Sequence, residues 1–242
     1  QERLKQIAQL LKEEQLDIVV LNEVDFCSFW SGHVNQARLI AEEAGYPYRV
    51  EQRNVDVAVP FFSLRFGNVI LSKYPIIEAV FLDYPHSSAF EEALHGGLKE
   101  GVVATLALPD GSRIQVAAVH LSLEGETIRR ASVQQILDVQ RRSSLPMIAM
   151  GDFNSTASGL PAHYTDVAGH NAIDTLRANG QLTTLWPEMP VAQKALTFPS
   201  KKPGKIIDWI FVSPDWQIET KTVISSDLSD HLPVTAVLAK AK

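Results

Sequence analysis

The chain has 242 residues, 45% of them hydrophobic and 21% charged, a globular composition that excludes disordered, collagen-like and fibrous classes. Lys and Arg number 22 against 28 Asp and Glu, and the formal charge of −6 argues against a protein that coats nucleic acid without sequence preference. No apolar run approaches the roughly 18 to 20 uncharged residues of a membrane span, no basic-then-apolar signal pattern opens the chain, and the single cysteine, Cys27, excludes an internal disulfide or a multi-cysteine metal site.

The opening residues place Leu4, Ile7, Ala8 and Leu11 at the spacing of one helix face. The run Ile18-Val19-Val20-Leu21 is too short for a helix and predicts a buried strand that ends at Asn22-Glu23. A second helix is marked by Ala37, Ile40, Ala41 and Ala44 and stopped by Gly45 and Pro47. From about residue 48 the period becomes alternating, with strands expected at 48–52, 67–72, 76–82, 101–108, 113–120 and 146–151. Pro109-Asp110-Gly111 predicts a hairpin between two of them, since Asp-Gly tolerates positive φ. Helices fit 125–141 and 168–179, and late strands fit 205–212, 217–224 and 232–238. Segments 53–66, 84–100 and 155–167 have weak periodicity and are expected to be long loops. With no linker-like tract and no repeat, the chain is expected to form a single domain over 1–242.

The informative feature is where polar residues interrupt apolar strands. Val19-Val20-Leu21 runs into Glu23, Val116 to Val119 into His120, and Met147 to Met150 into Gly151-Asp152-Phe153-Asn154. Ile206 and Ile207 flank Asp208, and Asp230-His231 enters the strand Leu232-Pro233-Val234. Taken singly, each has an ordinary reading as a solvated strand end or turn former. Jointly, two histidines, four carboxylates and an amide at strand ends form a set suited to metal binding and phosphate chemistry, with the hard oxygens of Glu23 and Asp230 suiting Mg2+. No His-Glu-x-x-His, no Gly-rich loop ending in Gly-Lys-Ser/Thr and no Gly-x-Ser-x-Gly is present, which removes zinc protease, nucleotide kinase and serine hydrolase readings.

Six segments then resemble, in order, the endonuclease/exonuclease/phosphatase superfamily, the deoxyribonuclease-I-like metal-dependent phosphoesterases. They are Leu21-Asn22-Glu23-Val24, Gly67 to Pro75, Val119-His120-Leu121, Gly151-Asp152-Phe153-Asn154, Ile207-Asp208-Trp209-Ile210 and Ser229-Asp230-His231-Leu232-Pro233-Val234. The resemblance implies an α+β fold, a four-layer α-β-β-α sandwich of two packed mixed sheets, with the active site at one end. It implies Glu23 and Asp230 as metal residues for Mg2+, with Mn2+ as a substitute. By the same resemblance Asp152 orients or deprotonates the attacking water, Asn154 donates to the phosphate, His120 and His231 meet its nonbridging oxygens, and Asp208 supports His231. Asp152 and His231 both remain acceptors for the water's proton at neutral pH. Asn68 is expected near the site as a substrate-binding residue. Trp209 and Phe211 alternate away from Asp208 and are expected in the core, while Lys201, Lys202 and Lys205 lie on the loop leading to Asp208 and offer a local positive charge.

Two departures from the family pattern stand out. Its members begin with a strand ending in asparagine before the first helix; this chain starts at Gln1 without it, so that strand is expected upstream. The nucleases of the family carry a tyrosine and a glutamate before the Gly-Asn-x-x-Leu-Ser segment, whereas the stretch here is Pro60-Phe61-Phe62-Ser63-Leu64-Arg65-Phe66. The expected activity is therefore Mg2+-dependent phosphoester hydrolysis, as phosphodiesterase or phosphatase, on a substrate with an apolar or sugar moiety. A nuclease is the alternative, opposed by the net charge, and a catalytically inactive binding module is a further one; the chain is expected to act as a monomer.

Overall fold

The computed structural model describes residues 1–60, 62–86 and 98–241, and the chain divides into two compact units, Gln1–His120 and Leu121–Lys242. The first contains α1 (Glu2–Glu13), β1 (Ile18–Asp25), α2 (Gln36–Ala44), β2 (Tyr48–Val59), β3 (Phe62–Ser72), β4 (Ile76–Asp83), β5 (Glu100–Ala107) and β6 (Arg113–His120). Helix α1 carries Glu2 in its first turn and Lys12 in its last, in the sense the helix dipole favours. Its Leu4, Ile7, Ala8 and Leu11 face a core formed with Val19, Phe26, Ile40 and Leu71. Helix α2 begins where the Asn35 side chain accepts the Arg38 N–H at 2.7 Å and ends at Gly45 in the left-handed region, φ 82°.

Strand β3 is the centre of an antiparallel sheet in the order β1-β3-β2, and its Val69, Ile70 and Leu71 are completely buried. The loop expected at 53–66 is instead a long hairpin, with β2 and β3 paired as far as Val59↔Phe62. The alternation Val55-Asp56-Val57-Ala58-Val59 continues the strand, but its outer half is exposed on both faces, so the apolar contrast that marks a half-buried strand is weak there. Register shifts between Arg53 and Val55, leaving Asn54 as the extra residue of a bulge next to Gly67. Phe61, part of the expected apolar loop, lies outside the described residues, as do 87–97 of the expected loop 84–100.

Strands β4, β5 and β6 are antiparallel neighbours in that order. The Pro109-Asp110-Gly111 turn joins β5 to β6 as expected: Leu108 N–H donates to Ser112 O at 2.8 Å, and Gly111 has φ 81°. The second unit contains α3 (Glu126–Arg142), β7 (Met147–Asp152), α4 (Ala172–Asn179), β8 (Asp208–Val212), β9 (Trp216–Val223) and β10 (Val234–Lys240). β7 pairs antiparallel with β8, and β9 with β10. Helix α4 starts four residues later than the sequence predicts because Asn171 caps it, accepting the Asp174 N–H at 2.8 Å. β10 begins after Pro233, which has no N–H to donate. Trp209 and Phe211 lie in the core as expected, their ring centroids 5.9 Å apart with Trp186 against both. Among the described residues no helix is long and apolar enough to cross a membrane.

Gly67 is fixed by the bulge. A Cβ there would lie 2.0 Å from the Gln52 carbonyl oxygen and 2.8 Å from the Arg53 Cα, both backbone atoms that cannot swing aside. Gly67→Ala is therefore expected to lower unfolding stability by about 2 to 4 kcal/mol in urea titrations, against less than about 0.5 for Gly204→Ala, whose Cβ meets nothing within 4 Å.

Candidate functional site

In the first unit the polar residues gather at the end of β1. Its pairing with β3 shifts register between Leu21 and Val24, so Asn22 and Glu23 sit in a bulge, and Glu23 takes φ 56°. A non-glycine residue held left-handed costs about 1 to 3 kcal/mol, and a bulge re-aims the side chain it carries. The consequence is a carboxylate 54% exposed on a strand that otherwise runs into the core. Lys99 Nζ lies 3.3 Å from Glu23 Oε1, and His120 Nε2 is 3.7 Å from the same oxygen. Both partners are buried, with Lys99 1% and His120 3% exposed at the side chain.

A chain of carboxamides supports this end. Asn22 Nδ2 donates to Asn68 Oδ1 at 2.8 Å and to the Val119 carbonyl at 3.0 Å. Asn68 Nδ2 donates to Gln52 Oε1 at 2.5 Å and to the Glu100 carbonyl at 3.3 Å, and Gln52 Nε2 reaches Glu100 Oε2 at 3.2 Å. The substrate contact expected of Asn68 gives way to a supporting place, because the residue is completely buried and both ends of its carboxamide are engaged. Burial pushes the Glu100 carboxyl above its ordinary pKa, with the Gln52 hydrogen bond opposing and the Asp83 charge adding.

In the second unit the β7–β8 register sets Asp152 directly opposite Asp208. Opposed like charges on neighbouring strands repel, and His231 answers them. Its Nδ1 faces Asp208 Oδ1 at 3.0 Å and Oδ2 at 3.1 Å, so this nitrogen carries the proton, while Nε2 lies 4.0 Å from Asp152 Oδ2. Burial on its own would lower the His231 pKa. The hydrogen bond and charge of Asp208, then the charges of Asp152 and Asp230, outweigh burial and raise it to about 9.

The surrounding chain is tied to this group. Asp152 Oδ1 accepts the Asn154 N–H at 2.7 Å, and Asn154 is left-handed at φ 46°, which asparagine tolerates. Asn154 Nδ2 donates to the Leu121 carbonyl at 2.9 Å, and Leu121 N–H returns to the Asp152 carbonyl at 3.0 Å. Asp230 has an exposed side chain, and its carbonyl accepts the Ser200 N–H at 2.6 Å. Phe198 packs its ring 4.5 Å from the His231 imidazole, with Lys205 Nζ 4.7 Å over the same phenyl. Of the lysine loop, Lys205 alone makes this contact, while Lys201 and Lys202 are exposed.

The structure thus gathers Glu23 with His120, and Asp152, Asp208 and His231 with one another. Lys99, Gln52 and Phe198 are contributions the sequence reading did not single out. Only Lys99 leaves a signal: a lone cation immediately before the buried β5 run.

A family model described as the Endonuclease/Exonuclease/phosphatase family matches residues 1–231. The chain belongs to this family of phosphoesterases. Solved structures agree on the fold, an α+β arrangement of mixed sheets with helices. An endonuclease/exonuclease/phosphatase of Bacteroides vulgatus matches with TM-score 0.74 at 20% identity, over 99% of this chain and 90% of that one. One from Beutenbergia cavernae matches with TM-score 0.71 at 22% identity, over 98% of this chain and 66% of that one, so this chain spans just under two thirds of it. A mannosyl-6-phosphatase of Bacteroides thetaiotaomicron matches with TM-score 0.68 at 18% identity, over 98% and 91%. No curated protein matches the sequence.

The donors suit one kind of metal. Among the described residues no group of three or more His, Cys, Asp or Glu side chains forms a closed cage, as structural zinc would need. Mg2+ takes hard carboxylate oxygens and keeps several waters, and within the first unit the half-exposed carboxylate of Glu23 is a donor of that kind.

The raised His231 pKa has a stability consequence. Its folded value near 9 exceeds the unfolded value of about 6.5, so the stabilisation is full below 6.5 and lost as pH rises through 9. In urea unfolding with EDTA, the stability advantage of wild type over His231→Gln is expected to shrink by about 2 kcal/mol between pH 6.5 and pH 9.5. An advantage that stays constant or grows across that range contradicts the assignment.

Proposed function

We propose that this chain is an Mg2+-dependent phosphoester hydrolase, that its two units act as one catalytic domain, and that its substrate carries an apolar group beside the phosphate. Membership of a phosphoesterase family supports the reaction class. The observation that carries the mechanism is His231 held between Asp208 and Asp152.

Glu23 and Asp230 are the carboxylates that would hold magnesium, which would supply Lewis-acid polarisation of a phosphoryl oxygen and stabilisation of the leaving oxygen. Below pH 9 His231 already carries its second proton, so it donates to a nonbridging oxygen rather than accepting from water. Asp152, a carboxylate 6% exposed and oriented by the Asn154 N–H, takes the proton of the attacking water. Asp208 keeps the imidazole protonated and aimed, His120 adds a second donor, and the Asn154 amide offers a hydrogen bond to the phosphate.

The apolar group is supported by three exposed rings in the first unit. Trp30 is 60%, Phe29 46% and Phe62 38% exposed, with Phe29 5.6 Å from Trp30 and 4.8 Å from Phe62 between ring centroids. The Trp30 indole is anchored to Asp25, two residues beyond Glu23 on the chain, by a 2.5 Å hydrogen bond. Solvent-facing aromatic clusters of this kind usually meet a ligand.

The test is release of nitrophenol from bis- and mono-p-nitrophenyl phosphate in Mg2+, Mn2+ or EDTA. Turnover is expected with either metal and not in EDTA, and Glu23→Ala, Asp152→Asn and His231→Ala should each lose about a hundredfold or more in kcat. Trp30→Ala should lower kcat/KM roughly tenfold for a long-chain alkyl phosphoester and leave a sugar phosphate within about twofold. Turnover in EDTA, or wild-type rates in His231→Ala, contradicts the proposal, and metal-dependent plasmid nicking without nitrophenol release replaces it with the nuclease reading.

A further inference from the structure

Outside the catalytic groups, the outer half of the β2–β3 hairpin is amphipathic. Its register sets Val55 opposite Phe66, Val57 opposite Leu64 and Val59 opposite Phe62, and residues so opposed share a face. That face is apolar throughout, while the other carries Asp56, Ala58, Ser63 and Arg65. The apolar face stays open to solvent, for Val57 is 45% and Val59 57% exposed, beside the exposed Phe62. The Phe62 ring joins it to Phe29, and Phe29 to Trp30. These two rings sit on a built turn: the buried Asp25 carboxylate accepts the Ser28 N–H at 2.7 Å, the Trp30 indole N–H at 2.5 Å and the Ser31 hydroxyl at 2.9 Å. With its one polar atom answered, the indole has only carbon left to present.

Size and charge identify the partner. Strands rise about 3.4 Å per residue and lie about 4.8 Å apart, so five residues on each of two strands offer about 170 Å2, and roughly 400 Å2 with the exposed parts of Phe29 and Trp30. A stable protein interface takes about 800 Å2 from each partner, so this patch is too small to hold a second copy of the chain. A lipid surface asks for no complementary shape, and each apolar side chain that enters it adds to binding. The two charges of residues 55–66, Asp56 and Arg65, pair at 2.9 Å and leave the tip neutral, on a chain that carries −6 overall. A neutral tip on an acidic chain fits a zwitterionic surface and not an anionic one.

We propose that the apolar face of the hairpin, with Phe29 and Trp30, docks the chain on a zwitterionic phospholipid surface, so that the phosphoester it cleaves is presented from that surface. The inference rests on the proposal that these rings meet the apolar part of the substrate, and it makes the source of that part a lipid layer rather than a dissolved molecule. Val57, Val59, Phe62 and the two rings enter the boundary between headgroups and acyl chains, about 5 to 10 Å deep, while Asp56 and Arg65 stay at headgroup level.

The experiment is co-flotation of the full chain with vesicles of phosphatidylcholine, with and without admixed phosphatidylglycerol. Wild type is expected to float with phosphatidylcholine alone, no more strongly with phosphatidylglycerol added, and to change less than about twofold on adding NaCl, since apolar insertion is not screened. Val57→Asp and Val59→Asp combined should lower the partition coefficient about tenfold or more, Trp30→Ala about threefold to tenfold, and Val237→Asp, at an exposed position of β10, less than about twofold. The double variant should keep wild-type turnover of bis-p-nitrophenyl phosphate, a dissolved substrate, which separates loss of docking from loss of the site. No flotation by wild type, flotation that the double variant retains, or flotation only with phosphatidylglycerol and lost in salt overturns the proposal. So does a dimer in sedimentation velocity that the double variant dissolves, or equal affinity for a short-chain phosphatidylcholine below its critical micelle concentration. Circular dichroism matching wild type confirms that the double variant is folded; if it does not match, loss of flotation in Val59→Ser decides in its place. Flotation as expected with no nitrophenol release by wild type upholds the docking and instead overturns the hydrolase reading on which the presentation of substrate rests.

Discussion

Two carboxylates set opposite each other across β7 and β8 need a cation, and much of the second unit is arranged around the one that answers them. Asp152 and Asp208 are register partners, so neither moves without disturbing the pairing of both strands. His231 enters from the segment before β10, one ring nitrogen on Asp208 and the other facing Asp152. The connections around it serve that placement: Thr197 Oγ1 accepts from Ile207 N–H and its carbonyl accepts from Leu232 N–H, joining the approach to β8 with the segment that carries the histidine. An imidazolium compensated on two sides is a positive group at neutral pH, and this supports the proposal that Asp152 rather than His231 takes the proton of the water.

The first unit solves a different problem. A carboxylate on a strand that runs into the core must be turned outward, and the bulge at Asn22-Glu23 does so at the cost of a left-handed glutamate. Such strain persists only where the surroundings over-determine it. Here the carboxamides of Asn22, Asn68 and Gln52 bond one another in series, anchored on the backbone at Val119 and Glu100. Removing any one of these leaves buried amide groups unpaired, so the set behaves as one support.

Much of this was legible in the sequence for a physical reason. Charged and imidazole groups at the ends of apolar strands are costly unless they act together, and that cost makes them visible against a hydrophobic background. Glu23, His120, Asp152, Asp208 and His231 stand out as candidates in this way, and the strands that carry them follow from period and turn chemistry, as the Pro109-Asp110-Gly111 hairpin does. The outer half of the β2–β3 hairpin was missed because both its faces meet solvent, so pairing rather than burial holds it. The amide network was missed because Asn22, Gln52 and Asn68 are far apart in sequence and polar in type, and only the strand register brings them together. Lys99 belongs with them: a lysine before a strand reads as a solvated end until the fold encloses it.

The central claim is the charge state of His231. It is tested most directly by an NMR pH titration of the imidazole resonances of labelled protein in EDTA, with His231 assigned by its absence from His231→Gln. A titration midpoint near 9 is expected, falling toward 6.5 in Asp208→Asn as the carboxylate hydrogen bond and charge are lost. A midpoint at or below 6.5 in the wild-type chain would mean that burial outweighs the two carboxylates, would return the role of base to His231, and would contradict the mechanism.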